Sequence, residues 1–115
     1  ETYTAPKLVD SVRPDPVYYS MHREIEGYVT LELLVNEEGE VDQAKVKYTT
    51  SDLAVKNALE AVSQWTFEPA TVSGTPMKSW VAYNLPFGSA LSIYEDAKYA
   101  RKVIVEDVTY ALAQK

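Results

Sequence analysis

The sequence predicts an α+β domain in which a short helix covers a three-stranded sheet, and three observations carry that prediction. Residues 28–35 and 41–49 alternate apolar and polar side chains on either side of a turn, residues 52–65 carry an apolar stripe at helical spacing, and residues 80–87 alternate again. A chain of 115 residues is long enough for one core.

In the first run Val29, Leu31, Leu33 and Val35 fall on one side and Tyr28, Thr30 and Glu32 on the other, the period of a half-buried strand. Asn36, Glu37, Glu38, Gly39 and Glu40 interrupt it with turn-forming residues. In the next run Ala44, Val46 and Tyr48 stand opposite Gln43, Lys45 and Lys47, so the two segments read as an antiparallel hairpin with one wet face. Leu34 adds a large apolar group to the polar side of the first strand, which suits a central position in the sheet.

Thr50 or Ser51 is placed to cap the helix that Asp52 begins, and Val55, Ala58, Leu59 and Val62 form its buried stripe. Pro69 forbids continuation soon after Trp65, and Ser73, Gly74, Thr75 and Pro76 make a turn before the third strand. Pro86 confines that strand to an edge, because proline cannot donate to a ladder. A right-handed crossover through the helix sets the third strand parallel to the second, and with the apolar first strand central the third pairs antiparallel on its free side, giving the spatial order second, first, third. Ahead of the sheet, Pro6, Pro14 and Pro16 predict an extended arm over residues 1–13, and residues 17–24 predict a short helix or turn. Behind it, Ile93, Ala97, Ala100, Ile104, Val108 and Ala111 share a helical stripe, with Ser92 and Glu95 spaced as a capping box. That pattern predicts a long C-terminal helix within an extension covering residues 89–115.

The charge balance, 11 Lys and Arg against 17 Asp and Glu for a net −6, repels phosphate backbones and anionic lipid, which argues against nucleic acid as a partner. With no cysteine, thiolate metal sites and cysteine nucleophiles are excluded. No apolar stretch approaches the roughly 18–20 residues that span a bilayer, so direct membrane insertion of this segment is not expected. A start at Glu1 rather than Met suggests a fragment of a longer chain. His22, the single histidine, has no Ser, Cys or second His around it and reads as a surface residue. Glu37, Glu38, Glu40 and Asp42 lack the spacing of an EF-hand and read as a solvated turn, while Glu95, Asp96, Glu106 and Asp107 read as the wet side of the last helix. No catalytic residue, metal ligand or cofactor site is expected, and the chain is read as a non-enzyme.

Ile25, Glu26, Gly27, Tyr28 and Val29 lead into an alternating strand. Ala58 and Ala61 precede the run Trp65, Phe67, Pro69 and Ala70, after which come Gly74 and Pro76, then Trp80 and Val81. In this order and spacing, residues 14–88 resemble the C-terminal domain of the TonB energy-transducing family. The family's Tyr-Pro pair stands here as Tyr18 and Tyr19, and the family's usual ending has no counterpart after Gly88. The resemblance implies a periplasmic module that binds protein, taking an extended peptide of an outer-membrane receptor as an added strand and serving energy transduction from an inner-membrane anchor lying outside this segment. The partner-binding residues it implies are Trp80, Val81, Ala82, Tyr83, Asn84 and Leu85 of the third strand, with Tyr18 and Tyr19 of the arm. Gly27, Trp65, Phe67, Pro69, Gly74 and Pro76 are expected to be structural, with Trp65 and Phe67 in the core. Trp80 is expected to pack beneath the C-terminal helix, and for the two tyrosines a packed arm stands as the alternative to partner contact. The competing reading is an assembly module in which the third-strand edge or the C-terminal helix joins two copies as a homodimer.

Overall fold

The computed structural model describes residues 2–20 and 23–88 and the backbone of residues 103–111. In chain order its elements are β1 (Tyr3–Thr4), β2 (Lys7–Asp10), β3 (Tyr18–Ser20), β4 (Arg23–Glu24), β5 (Gly27–Val35) and β6 (Val41–Thr49). A 3-10 turn (Asp52–Ala54) runs into α1 (Val55–Val62), followed by β7 (Thr66–Glu68), β8 (Ala70–Val72), β9 (Thr75–Met77), β10 (Ser79–Phe87) and β11 (Val103–Ala111).

The main sheet is antiparallel and has four strands rather than three, in the order β10, β5, β6, β11. β5 is therefore interior, as its apolar content requires, and Val29, Leu31, Leu33 and Val35 are fully buried. They pack with Ala44 and Val46 of β6, Leu85 and Phe87 of β10, and Ala58, Ala61 and Val62 of α1, which covers this face. Trp65 and Phe67 close the same core, as expected. Trp65 meets Tyr83 edge-on at 5.3 Å between centroids, and Phe67 lies 5.9 Å from Tyr83.

The helical end of the chain is corrected. Residues 103–111 form a strand on β6, while residues 89–102 and 112–115 lie outside the described residues. Val103, Ile104, Val105, Val108, Thr109 and Tyr110 are β-branched or aromatic and favour a pleated backbone, and that preference overrides a stripe spaced for a helix. The short helix expected over residues 17–24 is instead a pair of small strands, β3 with β4, tied by a bond from Ile25 N–H to the Val17 carbonyl at 2.7 Å. His22 lies outside the described residues.

Tyr48 is a further correction. The register slips between Thr30 paired with Tyr48 and Leu31 paired with Val46, so Lys47 is an extra residue in β6. The bulge turns Tyr48 to the face of Thr30, away from α1, where it is exposed. The expected cap is also absent: Ser51 makes no side-chain bond at the start of the 3-10 turn, and Thr49 Oγ1 instead accepts from Ser51 N–H at 3.0 Å.

Thr50 closes the other end of the hairpin. Its Oγ1 accepts from Tyr28 N–H at 2.9 Å and its own N–H donates to the Tyr28 carbonyl at 3.1 Å. Gly27 permits this approach, because at its φ of +145° a β-carbon would lie 1.9 Å from Thr50 Oγ1. Two short hairpin strands, β8 and β9, meet at Ser73 and Gly74, both at positive φ as a tight hairpin turn requires. Thr75 and Pro76, expected within the turn, belong to β9, and Pro69 separates β7 from β8. The proline-rich arm is extended and fastened at two places, β1 on β8 and β2 on β7.

Candidate functional site: the outer edge of β10

Two periodicities of two act together along β10. Side chains alternate between faces, so Val81 and Tyr83 are half-buried and Leu85 and Phe87 buried against the helix side, whereas Trp80, Ala82 and Asn84 are exposed on the opposite face. Backbone groups alternate between the two flanks. Both backbone groups of Tyr28 are directed at Thr50, on the β6 side, so Tyr28 cannot also exchange bonds with its cross-strand partner Pro86. Pro86 therefore sits at a non-hydrogen-bonded pair, where an antiparallel strand turns its N and C=O away from its neighbour. By the same alternation the N–H and C=O groups of Trp80, Ala82 and Asn84 project from the outer flank, while those of Val81, Tyr83 and Leu85 bond to β5. The missing N–H of Pro86 costs the sheet nothing at this position.

No described residue pairs with β10 on that outer flank. It presents three N–H groups and four carbonyls, those of residues 80, 82, 84 and 86, that no described strand pairs with. The opposite edge of the three-strand unit, along β6, is covered by β11.

The six strand residues expected to bind a partner thus separate into two sets. Trp80, Ala82 and Asn84 are presented outward in both side chain and backbone, and Val81, Tyr83 and Leu85 are turned inward in both. Trp80 departs from the expectation that it packs under a helix. It is 38% exposed, with the Lys45 ammonium 4.7 Å from the centre of its ring. The Asn84 side chain accepts from Thr30 Oγ1 across the strand. Lys47 pairs with Glu32 at 3.8 Å, and Lys78, just before β10, pairs with Asp42 at 3.4 Å, so this face of an acidic chain gathers three lysines. Tyr18 is exposed on β3, and the side chain of Tyr19 lies outside the described residues.

At the far end of the edge lies a feature that the sequence did not signal. Arm residues Ser11 to Pro14 and Pro16 line a cavity of about 600 Å³ together with Glu24, Trp65 and the stretch from Asn84 to Gly88 at the end of β10. Trp65 Nε1–H donates to the Val12 carbonyl at 2.9 Å, which ties the arm to the edge of the indole. Asn57 Nδ2 holds the next stretch through the Asp15 carbonyl at 2.9 Å. The Val12 contact carries no sequence signature, since a backbone carbonyl supplies it.

At the hairpin tip Glu37, Glu38 and Glu40 are exposed, as a solvated turn requires, and Asn36 organises the backbone. Asn36, buried, accepts from the N–H groups of Glu38 and Glu40 through Oδ1 and donates from Nδ2 to Asp42 Oδ1 at 2.9 Å. Among the described residues no group of His, Asp or Glu side chains is arranged to hold a metal ion. No described helix is long and apolar enough to cross a membrane.

The strands β3 to β10, the covering helix and the Trp-x-Phe-x-Pro-Ala run that closes the core all fall within one stretch of the chain that a family model matches. The model of the Gram-negative bacterial TonB protein C-terminal matches residues 17–88. The chain belongs to this TonB C-terminal family. Domains of the family are periplasmic and generally bind outer-membrane receptors. The match ends at Gly88, so β11 and the segment before it lie beyond the TonB-like part of the chain, while the arm precedes it. No curated protein matched the chain.

Proposed function

We propose that this TonB-like domain is a non-enzymatic periplasmic binding module that captures an extended segment of an outer-membrane receptor, or of a similar partner, as an added strand on β10. The observation that carries this reading is the outward set of backbone groups on Trp80, Ala82, Asn84 and Pro86. Strand addition draws its affinity from main-chain bonds of this kind and its specificity from the side chains that alternate around them. A free edge is a liability that folds usually cover, and among the described residues β11 covers the β6 edge while none pairs with the outer flank of β10. In an energy-transducing setting, tension from an inner-membrane anchor would reach the sheet through the arm, which is fastened to β8, β7 and Trp65.

The test is calorimetric titration of the protein with a synthetic peptide from the periplasm-facing end of an outer-membrane receptor. Binding is expected for the native protein and is expected to disappear in Ala82→Pro, which removes a central outward donor. Undiminished binding by that variant overturns the reading. Light scattering over a range of concentrations separates the competing use of the edge, because self-association abolished by Ala82→Pro would assign it to a second copy of the chain.

A further inference from the structure

We propose that the cavity between the arm and the end of β10 is a side-chain subsite, which takes one large apolar residue of the strand added to that edge. The inference rests on strand addition to β10 and specifies what the partner must carry. Paired residues on neighbouring strands project their side chains to the same face. A residue added opposite Leu85 therefore points to the helix side of the sheet, as Leu85 itself does.

The cavity of about 600 Å³ is lined by Trp65, Leu85 and Phe87 of that same side, so the added residue would project toward it. Val12, Pro14 and Pro16 of the arm line it together with Leu85, Phe87 and Trp65. A binding pocket is commonly a concave, mostly apolar space of a few hundred Å³ with a small number of polar groups, and Arg13 and Glu24 are charged residues of this lining. The Trp65 indole N–H is already bonded to the Val12 carbonyl, so the ring offers its apolar surface and asks for no polar partner. An aliphatic or aromatic side chain fits this lining, and a carboxylate or ammonium would lose its hydration without compensation. The subsite continues the open edge without a break, because Asn84, Leu85 and Pro86 belong to both. The arm thus helps to select the partner while it anchors the fold.

The experiment uses a set of ten-residue peptides of alternating Thr and Ser with one central guest, Phe, Leu, Ser or Asp. NMR titration follows the Trp65 indole resonance together with the amides of Ala82 and Asn84. The Phe and Leu guests are expected to bind about tenfold or more tightly than Ser, in keeping with burial of one large apolar side chain, and to shift the Trp65 indole signal. In Val12→Trp, which fills the cavity from the arm, the preference is expected to vanish while the two amides still respond. If all guests perturb those amides with equal affinity, the subsite is wrong and strand addition stands. If no peptide perturbs them at any concentration, both readings fall. A concentration-dependent shift of the Trp65 signal without peptide, accompanied by dimer formation, would give the cavity to a second copy and overturn the assignment.

Discussion

Val81, Tyr83 and Leu85 turn their side chains toward α1 and their backbone groups toward β5, whereas Trp80, Ala82 and Asn84 turn both away. The two sets alternate along one strand and share its backbone geometry, yet the first closes the domain and the second leaves groups for a partner. Facing and pairing both have a period of two, so one register decides both. A slip of one residue between β10 and β5 would expose the core set and bury the binding set together.

This contrast can be broken from either side. The largest effect is expected at the core that the inward set packs against. Trp65→Ala removes an indole that is 7% exposed and touches Tyr83, together with the bond to Val12, and should destabilise the domain by about 3–5 kcal/mol. Urea denaturation measures it, and a loss under about 1 kcal/mol would mean that the ring is not part of the core. Proline placed at adjacent positions sharpens the comparison. Val81→Pro deletes a bond to β5 and leaves a buried carbonyl unsatisfied, for a cost of about 2–3 kcal/mol, whereas Ala82→Pro deletes an outward donor and should cost under about 1 kcal/mol. Equal losses would mean that the outward flank is paired. The smallest effect is expected at the open face, where Trp80→Ala loses the contact with Lys45, worth about 0.5–1 kcal/mol at an exposed site.

The hairpin of β5 and β6 was legible in the sequence because the apolar residues of β5 recur at a strict period of two and a turn follows them, and the edge position of β10 because Pro86 admits few alternatives. The core role of Trp65 and Phe67 followed from their place at the end of an amphipathic helix. Tyr48 was misplaced because a bulge at Lys47 shifts the period without altering composition. β1 to β4 and β7 to β9 escaped detection since strands of two to four residues are too short to show alternation, and Pro69 and Pro76 suggested loop. In residues 103–111 spacing and propensity disagreed, and propensity decided the backbone. The binding flank was only half legible, because alternation shows which residues face outward but not which backbone groups are left unpaired. That second fact required the two bonds between Tyr28 and Thr50. The cavity was not legible at all, as the arm that walls it is positioned by main-chain bonds.

The most direct measurement is amide hydrogen exchange, residue by residue, across β10 in the free protein. The open-edge account predicts slow exchange at Val81, Tyr83 and Leu85 and fast exchange at Trp80, Ala82 and Asn84. Uniform protection of all six amides, in protein shown to be monomeric, would mean that the outer flank is already covered and would contradict the account.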